Sequence, residues 1–157
     1  MNENASRRQF LLAAGGAAAA LGLTSVLHVR PASATPAAMQ DAVSKVVGAA
    51  RVGTGRVKLD LPPLVENGNA VPITVSVESP MTPADHVRAI HLFTEKNPQP
   101  EVVSFRFGPR AGRASVATRI RLADTQTVLA ICEMSDGSFW SGDAAVVVTL
   151  AACLEDP

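Results

Sequence analysis

The chain of 157 residues carries two cysteines and three histidines, so thiol chemistry is the first to weigh. Cys153, the fifth residue from the C-terminus, follows the valine-rich run Val146-Val147-Val148-Thr149-Leu150, which reads as the end of a last strand. A thiol placed beyond the last strand projects on a terminal segment. In an exported protein an unpaired thiol of this kind suits a reactive or intermolecular role. Cys132 lies within an apolar stretch after Val128-Leu129-Ala130-Ile131 and reads as a small buried hydrophobe. His86 and His91 are five residues apart at one end of a strand pattern, which sends them to opposite faces and argues against a ligand pair. A blue-copper site draws a histidine and a methionine from just after its cysteine. Nothing of the kind follows Cys153, and Cys132 has Met134 but no nearby histidine. No Ser-His-Asp or paired-carboxylate constellation is visible, and Asp136 reads as hairpin geometry. Arg119 and Arg121 alternate against Ile120 and Leu122 on one sheet face, which suits contact with a partner or, the safer reading, a solvated face.

The elements that must position these groups begin after an export signal. Arg7 and Arg8 precede an apolar run from Leu12 to Leu27 that is short and weakly hydrophobic for a membrane span. Ala32-Ser33-Ala34 then supplies the small-x-small pattern of a signal-peptidase site, so cleavage is expected after Ala34. The arginine pair ahead of the apolar run points to the twin-arginine route and a periplasmic mature protein. Cleavage removes Arg7, Arg8 and Arg30 from the 14 basic side chains and Glu3 from the 14 acidic ones, leaving 11 and 13 and a formal charge of −2. So mild a balance, with no basic run, gives no electrostatic footprint for nucleic acid or for a membrane surface.

Thr35 and Pro36 read as the cap and first position of a short helix, with Met39, Ala42, Val43, Val46 and Val47 on one face and Gly48 as its stop. From Val57 the period changes to two, as in Val57, Leu59, Leu61 and in Val71, Ile73, Val75, Val77. Further runs cover residues 87–94, 102–107, 114–122, 127–135 and 139–150. Turn chemistry separates them at Glu66-Asn67-Gly68-Asn69, Ser79-Pro80-Met81-Thr82-Pro83, Asn97-Pro98-Gln99-Pro100 and Gly108-Pro109-Arg110-Ala111-Gly112. The pattern predicts an all-β, immunoglobulin-like β-sandwich of about seven strands preceded by a short N-terminal helix. The organisation expected is a signal peptide over 1–34, helix and linker over 35–56, sandwich over 57–150 and a C-terminal arm over 151–157. Pro72 should demote its strand to an edge or mark a bulge. If Asp136-Gly137 is a two-residue turn, Cys132 faces roughly Ser141, and Cys153 lies about 40 Å further along the sheet. A bridge between the cysteines is then not expected.

Several segments together resemble the SoxY family, the sulfur-carrier subunits of the periplasmic Sox thiosulfate-oxidation system. They are Leu61-Pro62, Glu66-Asn67-Gly68-Asn69, Val71-Pro72-Ile73-Thr74-Val75, Ser79-Pro80-Met81, Ile90-His91, Asn97-Pro98-Gln99-Pro100-Glu101, Arg119-Ile120-Arg121-Leu122 and Glu133-Met134-Ser135-Asp136-Gly137-Ser138. The resemblance implies a non-enzymatic carrier without cofactor or metal, paired with a SoxZ-like subunit. It implies that Cys153 holds thiosulfate-derived sulfur covalently and visits a thiosulfate-conjugating haem enzyme, a sulfate-releasing hydrolase and, in some organisms, a sulfane dehydrogenase. The family's arm reads Gly-Gly-Cys-Gly-Gly, whereas here Ala151 and Ala152 precede the cysteine and Leu154-Glu155-Asp156-Pro157 follow it. This arm is stiffer and bulkier, and its two acidic side chains disfavour the thiolate and repel an incoming thiosulfate dianion. The alternative implied is a SoxY-like binding or scaffold subunit with carrier activity lost or altered.

Overall fold

The computed structural model describes residues 35–151. Helix α1 (Pro36–Val47) is capped by Thr35, whose Oγ1 accepts from the Ala38 N–H at 3.2 Å, with proline in the first turn and Gly48 closing the end. Nine strands follow: β1 (Val52–Thr54), β2 (Val57–Asp60), β3 (Leu64–Val65), β4 (Val71–Val77), β5 (Val87–Thr94), β6 (Glu101–Arg106), β7 (Ala114–Ile120), β8 (Gln126–Met134) and β9 (Phe139–Val148). They form two sheets, one ordered β1-β9-β8-β5-β6 with β3 also pairing β9, the other ordered β2-β4-β7. The expected sandwich is thus present, with seven principal strands and two short additions. Both additions, β1 and β3, run parallel to β9 along its outer edge and lie at its two ends.

Alternation assigns the faces. Val71, Ile73, Val75 and Val77 of the small sheet meet Ile90, Leu92, Val128, Ala130, Cys132, Met134, Val146 and Val148 of the large one in the main core. The opposite face of the large sheet presents Phe93, Leu129, Ile131 and Phe139, and α1 covers it with Met39, Ala42, Val43, Val46 and Val47. The predicted helical stripe is therefore the face that packs. Burying Met39 and Val43 in this way stabilises the docked helix by about 1.5–3 kcal/mol each. Where β9 crosses β2, Gly142 leaves room for the backbone: a Cβ there would run into the Val57 carbonyl oxygen.

Pro72 pairs with Arg119 of β7 on one side, while β2 reaches only from Thr74 to Val77 on the other. An antiparallel strand sends alternate residues' N–H groups to opposite neighbours. Pro72 therefore occupies a position facing away from β7, past the end of β2, where a missing N–H costs no ladder bond. The strand is central by order and an edge at this residue.

The β8–β9 hairpin corrects the expected register. Gly137 donates to the Met134 carbonyl at 3.1 Å and Met134 to the Ser138 carbonyl at 2.9 Å, with Gly137 at φ +82°. The loop is thus Ser135-Asp136-Gly137, a type I turn followed by a left-handed glycine. That third residue restores the strand twist that a bare type I turn would splay. Cys132 consequently faces Trp140, one residue short of the Ser141 expected from a two-residue turn.

Candidate functional site at the base of the C-terminal segment

The chain leaves β9 through a strap of backbone bonds. Val147 N–H donates to Pro63 O at 2.9 Å, Thr149 to Val65 O at 3.0 Å and Leu150 to Glu66 O at 3.1 Å, while Gly68 N–H donates to Leu150 O at 2.8 Å. The Thr149 hydroxyl adds a bond to Glu66 O at 3.2 Å. Both backbone groups of Leu150 are therefore tied, and Ala151 follows half-buried. Asn67 makes this possible: its Oδ1 accepts from Asn69 N–H at 2.9 Å and opens the 3-10 turn Gly68–Ala70. Such Asx geometry bends the chain locally, and the Gly68 N–H is left to meet the end of β9.

A second layer holds that turn. The Gly68 carbonyl accepts from Leu122 N–H at 2.9 Å. Leu122 lies in a loop gripped by buried Asn97, whose Nδ2 donates to Arg121 O at 2.8 Å and whose Oδ1 accepts from Ala123 N–H at 2.9 Å and Gln126 Nε2 at 3.0 Å. Gln126, also buried, accepts from Lys96 N–H through Oε1 at 2.9 Å and donates to Asp124 O at 3.1 Å. Each buried amide is thereby paired, as burial requires. Thr125 closes the ring, its Oγ1 accepting from Val148 N–H at 3.0 Å. Lys96 Nζ lies 2.8 Å from Asp124 Oδ2, and this bond, with the backbone N–H of Thr125, holds the Asp124 carboxyl below its usual range. Residues 66–69, 97 and 121–122, all from segments that carry the family resemblance, thus converge on the root of one strand.

Cys153, Arg7, Arg8, Ala32 and Ala34 lie outside the described residues. Cys132 is fully buried in the main core, with its Sγ 3.7 Å from Met134 Sδ. Burial pushes its thiol up to about 12, which makes it inert as a nucleophile. Arg119 and Arg121 are exposed while Ile120 and Leu122 are buried, as the alternation predicts. Asp136 accepts from Ser138, whose bonds hold the carboxyl below its usual range, so it serves the hairpin. His86 bonds the Thr82 carbonyl through Nδ1 at 3.1 Å. His91 Nδ1 lies 2.6 Å from Ser104 Oγ, which donates to Glu101 Oε1 at 2.6 Å, so Nδ1 carries the proton toward Ser104. Its Nε2 is buried without a partner among the described residues. Sequence reading missed Asn97, Thr125 and Gln126 as members of one network. Their only signal was polar residues of turn type beside strand ends, which says nothing of burial.

Fold and site together define an all-β sandwich whose last strand is fixed at its root and continues into a short cysteine-bearing segment. Residues 43–153 match the family described as sulfur oxidation protein SoxY, and the chain belongs to that family. Its place is in sulfur oxidation. The structure is similar to that of the sulfur carrier protein SoxY from Chlorobium limicola f thiosulfatophilum, with 27% identity over 73% of this chain and 98% of that one and a TM-score of 0.61. Superoxide reductase (neelaredoxin) from Ignicoccus hospitalis shares 22% identity over 73% of this chain and 94% of its own, with a TM-score of 0.54. Superoxide reductase from Nanoarchaeum equitans shares 14% over 61% and 100%, with a TM-score of 0.51. The last two share the fold alone. No curated protein matches the chain.

Proposed function

We propose that this protein carries thiosulfate-derived sulfur covalently on Cys153 in the periplasm, after export by the twin-arginine route and in complex with a SoxZ-like subunit. The observation that carries the reading is the extent of the family match, which runs to residue 153 and ends on the cysteine. It is supported by the strapping of Leu150, which gives the segment a fixed root only three residues before the thiol. Cys132, buried and with its ionisation pushed up to about 12, does not compete for the role.

In loading, the Cys153 Sγ forms an S–S bond with the outer sulfur of thiosulfate. The thiol proton goes to solvent, and two electrons pass to the conjugating haem enzyme. In unloading, water cleaves the bond to the sulfonate group, so sulfate leaves and a persulfide remains on Sγ. The protein supplies the attachment atom and its presentation, and its partners supply the redox and hydrolytic steps.

Intact-mass measurement of the protein isolated from thiosulfate-oxidising cells tests this. Thiosulfonate or persulfide adducts are expected, mapping to Cys153 and absent from a Cys153→Ser strain that no longer oxidises thiosulfate. An unmodified thiol, with a Cys153→Ser strain that still oxidises thiosulfate, selects the second reading of a binding subunit without carrier duty. That reading is favoured by Ala151, Ala152 and Leu154-Glu155-Asp156-Pro157 around the cysteine.

A further inference from the structure

Arg119 and Arg121 are exposed, and neither side chain enters an ion pair among the described residues, whereas Arg88 and Lys96 pair with Glu133 and Asp124. Arg119 lines a groove of about 830 Å³ on the outer face of the small sheet, together with its register partner Pro72 and with Pro62 and Pro63. Asp60 lines it too, from β2. Because β4 lies between β2 and β7, that carboxylate and the guanidinium belong to strands about 10 Å apart. The groove adjoins the strand root on two sides. Pro63 is the residue whose carbonyl accepts from Val147 N–H, and Leu122 N–H donates to the Gly68 carbonyl while Gly68 N–H donates to that of Leu150. One residue therefore separates Leu150 from the run Arg119-Ile120-Arg121-Leu122.

We infer that Arg119 and Arg121 bind the anionic end of the thiosulfonate borne by Cys153, whose sulfur–sulfur bond lies against the prolines of the groove. This rests on the carrier reading above and gives the cargo a binding site on the carrier itself. Tether length permits it. Two inter-strand spacings, about 10 Å, separate Leu150 from Leu122, and the three residues from Leu150 to Cys153 span about 11 Å when extended. The chemistry of the cargo matches the wall it would meet. A thiosulfonate ends in a tetrahedral oxyanion, which guanidinium N–H groups hold by charge-assisted hydrogen bonds. Behind that oxyanion lie soft, weakly hydrated sulfur atoms, and Pro62, Pro63 and Pro72 offer ring surface without an N–H. The two guanidiniums also offset Glu155 and Asp156, which repel a thiosulfate dianion from the segment's own side.

The test uses the exported chain with its SoxZ-like subunit and loads it with tetrathionate, which needs no enzyme. The Cys153 thiol gives its proton to solvent and its sulfur attacks an inner sulfur of tetrathionate; the new S–S bond forms as the central one breaks, and thiosulfate leaves with the electron pair. Loading at Cys153 is followed by mass, with iodoacetamide alkylation as the uncharged control. In the double variant Arg119→Gln, Arg121→Gln, with both substitutions at exposed positions, melting should be nearly unchanged. The ratio of loading rate to alkylation rate should fall roughly tenfold. In the unsubstituted chain the amide resonances of residues 118–122 should shift on loading, and the double variant should lose those shifts. An unchanged ratio, or loading of the unsubstituted chain without those shifts, overturns the inference and leaves the carrier reading to the cellular adducts. An arginine effect that vanishes in the background Glu155→Gln, Asp156→Asn also overturns it, since the guanidiniums would then serve the segment's own carboxylates. A chain that is alkylated at Cys153 but takes up no thiosulfonate overturns the carrier reading and this inference together.

Discussion

The setting of Cys132 contrasts with that of the strand end from which the segment bearing Cys153 departs. Cys132 faces the core from the middle of the large sheet, opposite Trp140 and against Met134, and is fully buried. Cys153 belongs to a segment that starts where the backbone of Leu150 is pinned between Glu66 and Gly68. The difference teaches how a small domain can fix a thiol by packing in one place and a chain exit by hydrogen bonds in another. Packing suppresses the first: an apolar surround disfavours the thiolate, so the sulfur serves as volume. The chain exit at Leu150 is fixed instead by hydrogen bonds, backed by the ring made by Asn67, Gly68, Asn97, Thr125 and Gln126. The core around Cys132 is held by apolar packing and the chain exit at Leu150 by hydrogen bonds. The two can therefore be perturbed separately.

The largest expected contrast is chemical. With iodoacetamide at pH 8 the native protein should be alkylated at Cys153 at least about a thousand times faster than at Cys132, because the buried thiol reacts only through opening of the sandwich. Peptide mapping of the two sites over time checks this, and comparable rates would abolish the comparison. Next in size is the root itself. Asn97→Leu removes an amide that serves the Arg121 carbonyl, the Ala123 N–H and Gln126. Stranding these buried partners should cost about 3 kcal/mol, seen as a lower urea midpoint, whereas Asn97→Asp should retain the acceptor and lose less.

Cys132 sharpens the other half. Cys132→Ser buries a hydroxyl beside Met134 and should cost about 2 kcal/mol, with Cys132→Ala milder. The pH dependence carries the sign. An unfolded thiol loses its proton near 9, whereas the folded one keeps it to about 12. Between those values the native state binds more protons than the unfolded state, so stability falls as pH rises, and below that window the thiol has no effect. The wild type should therefore lose stability toward pH 11 more steeply than Cys132→Ala in denaturant titrations. Parallel curves would mean that Cys132 ionises as freely folded as unfolded.

These contrasts also mark what the sequence made legible. The helix and seven strands follow from apolar periodicity, because burial imposes 3.6-residue and two-residue spacing wherever one face packs. The stripe of α1, the buried Ile120 and Leu122 and the buried Cys132 were all readable in that way. Strands β1 and β3 were not, since two or three residues carry no period and exist only by pairing with β9. The hairpin was readable at Asp136-Gly137, but its third loop residue was not, and the register moved by one. At Met81, Pro80 announced a turn, yet nothing announced that a methionine would adopt φ +50° with its side chain buried. At the site, Glu66-Asn67-Gly68-Asn69 and Asn97-Pro98-Gln99-Pro100 were visible as turns. That they brace the same strand end is a long-range fact, joining residues about position 67, 97, 125 and 148, and local pattern cannot encode it.

The smallest expected effect is the most discriminating. Thr125→Val keeps the side chain's shape but deletes the Oγ1 that accepts from Val148 N–H, a loss of about 1 kcal/mol. If the root of the segment opens as a local unit, amide exchange at Val148, Thr149 and Leu150 should quicken about fivefold, with Cys132 alkylation unchanged. Should Cys132 alkylation quicken by the same factor, the root opens only with the whole sandwich. The pinning of Leu150 would then be a property of the core, and the separation between the two thiols would be one of position without independence in energy. Local opening is the outcome the bonding favours, because the strap from Pro63 to Gly68 is made of backbone bonds at the sheet's edge, flanked by exposed Leu64 and Val147. Bonds so placed yield before those of the interior strands β5 and β8.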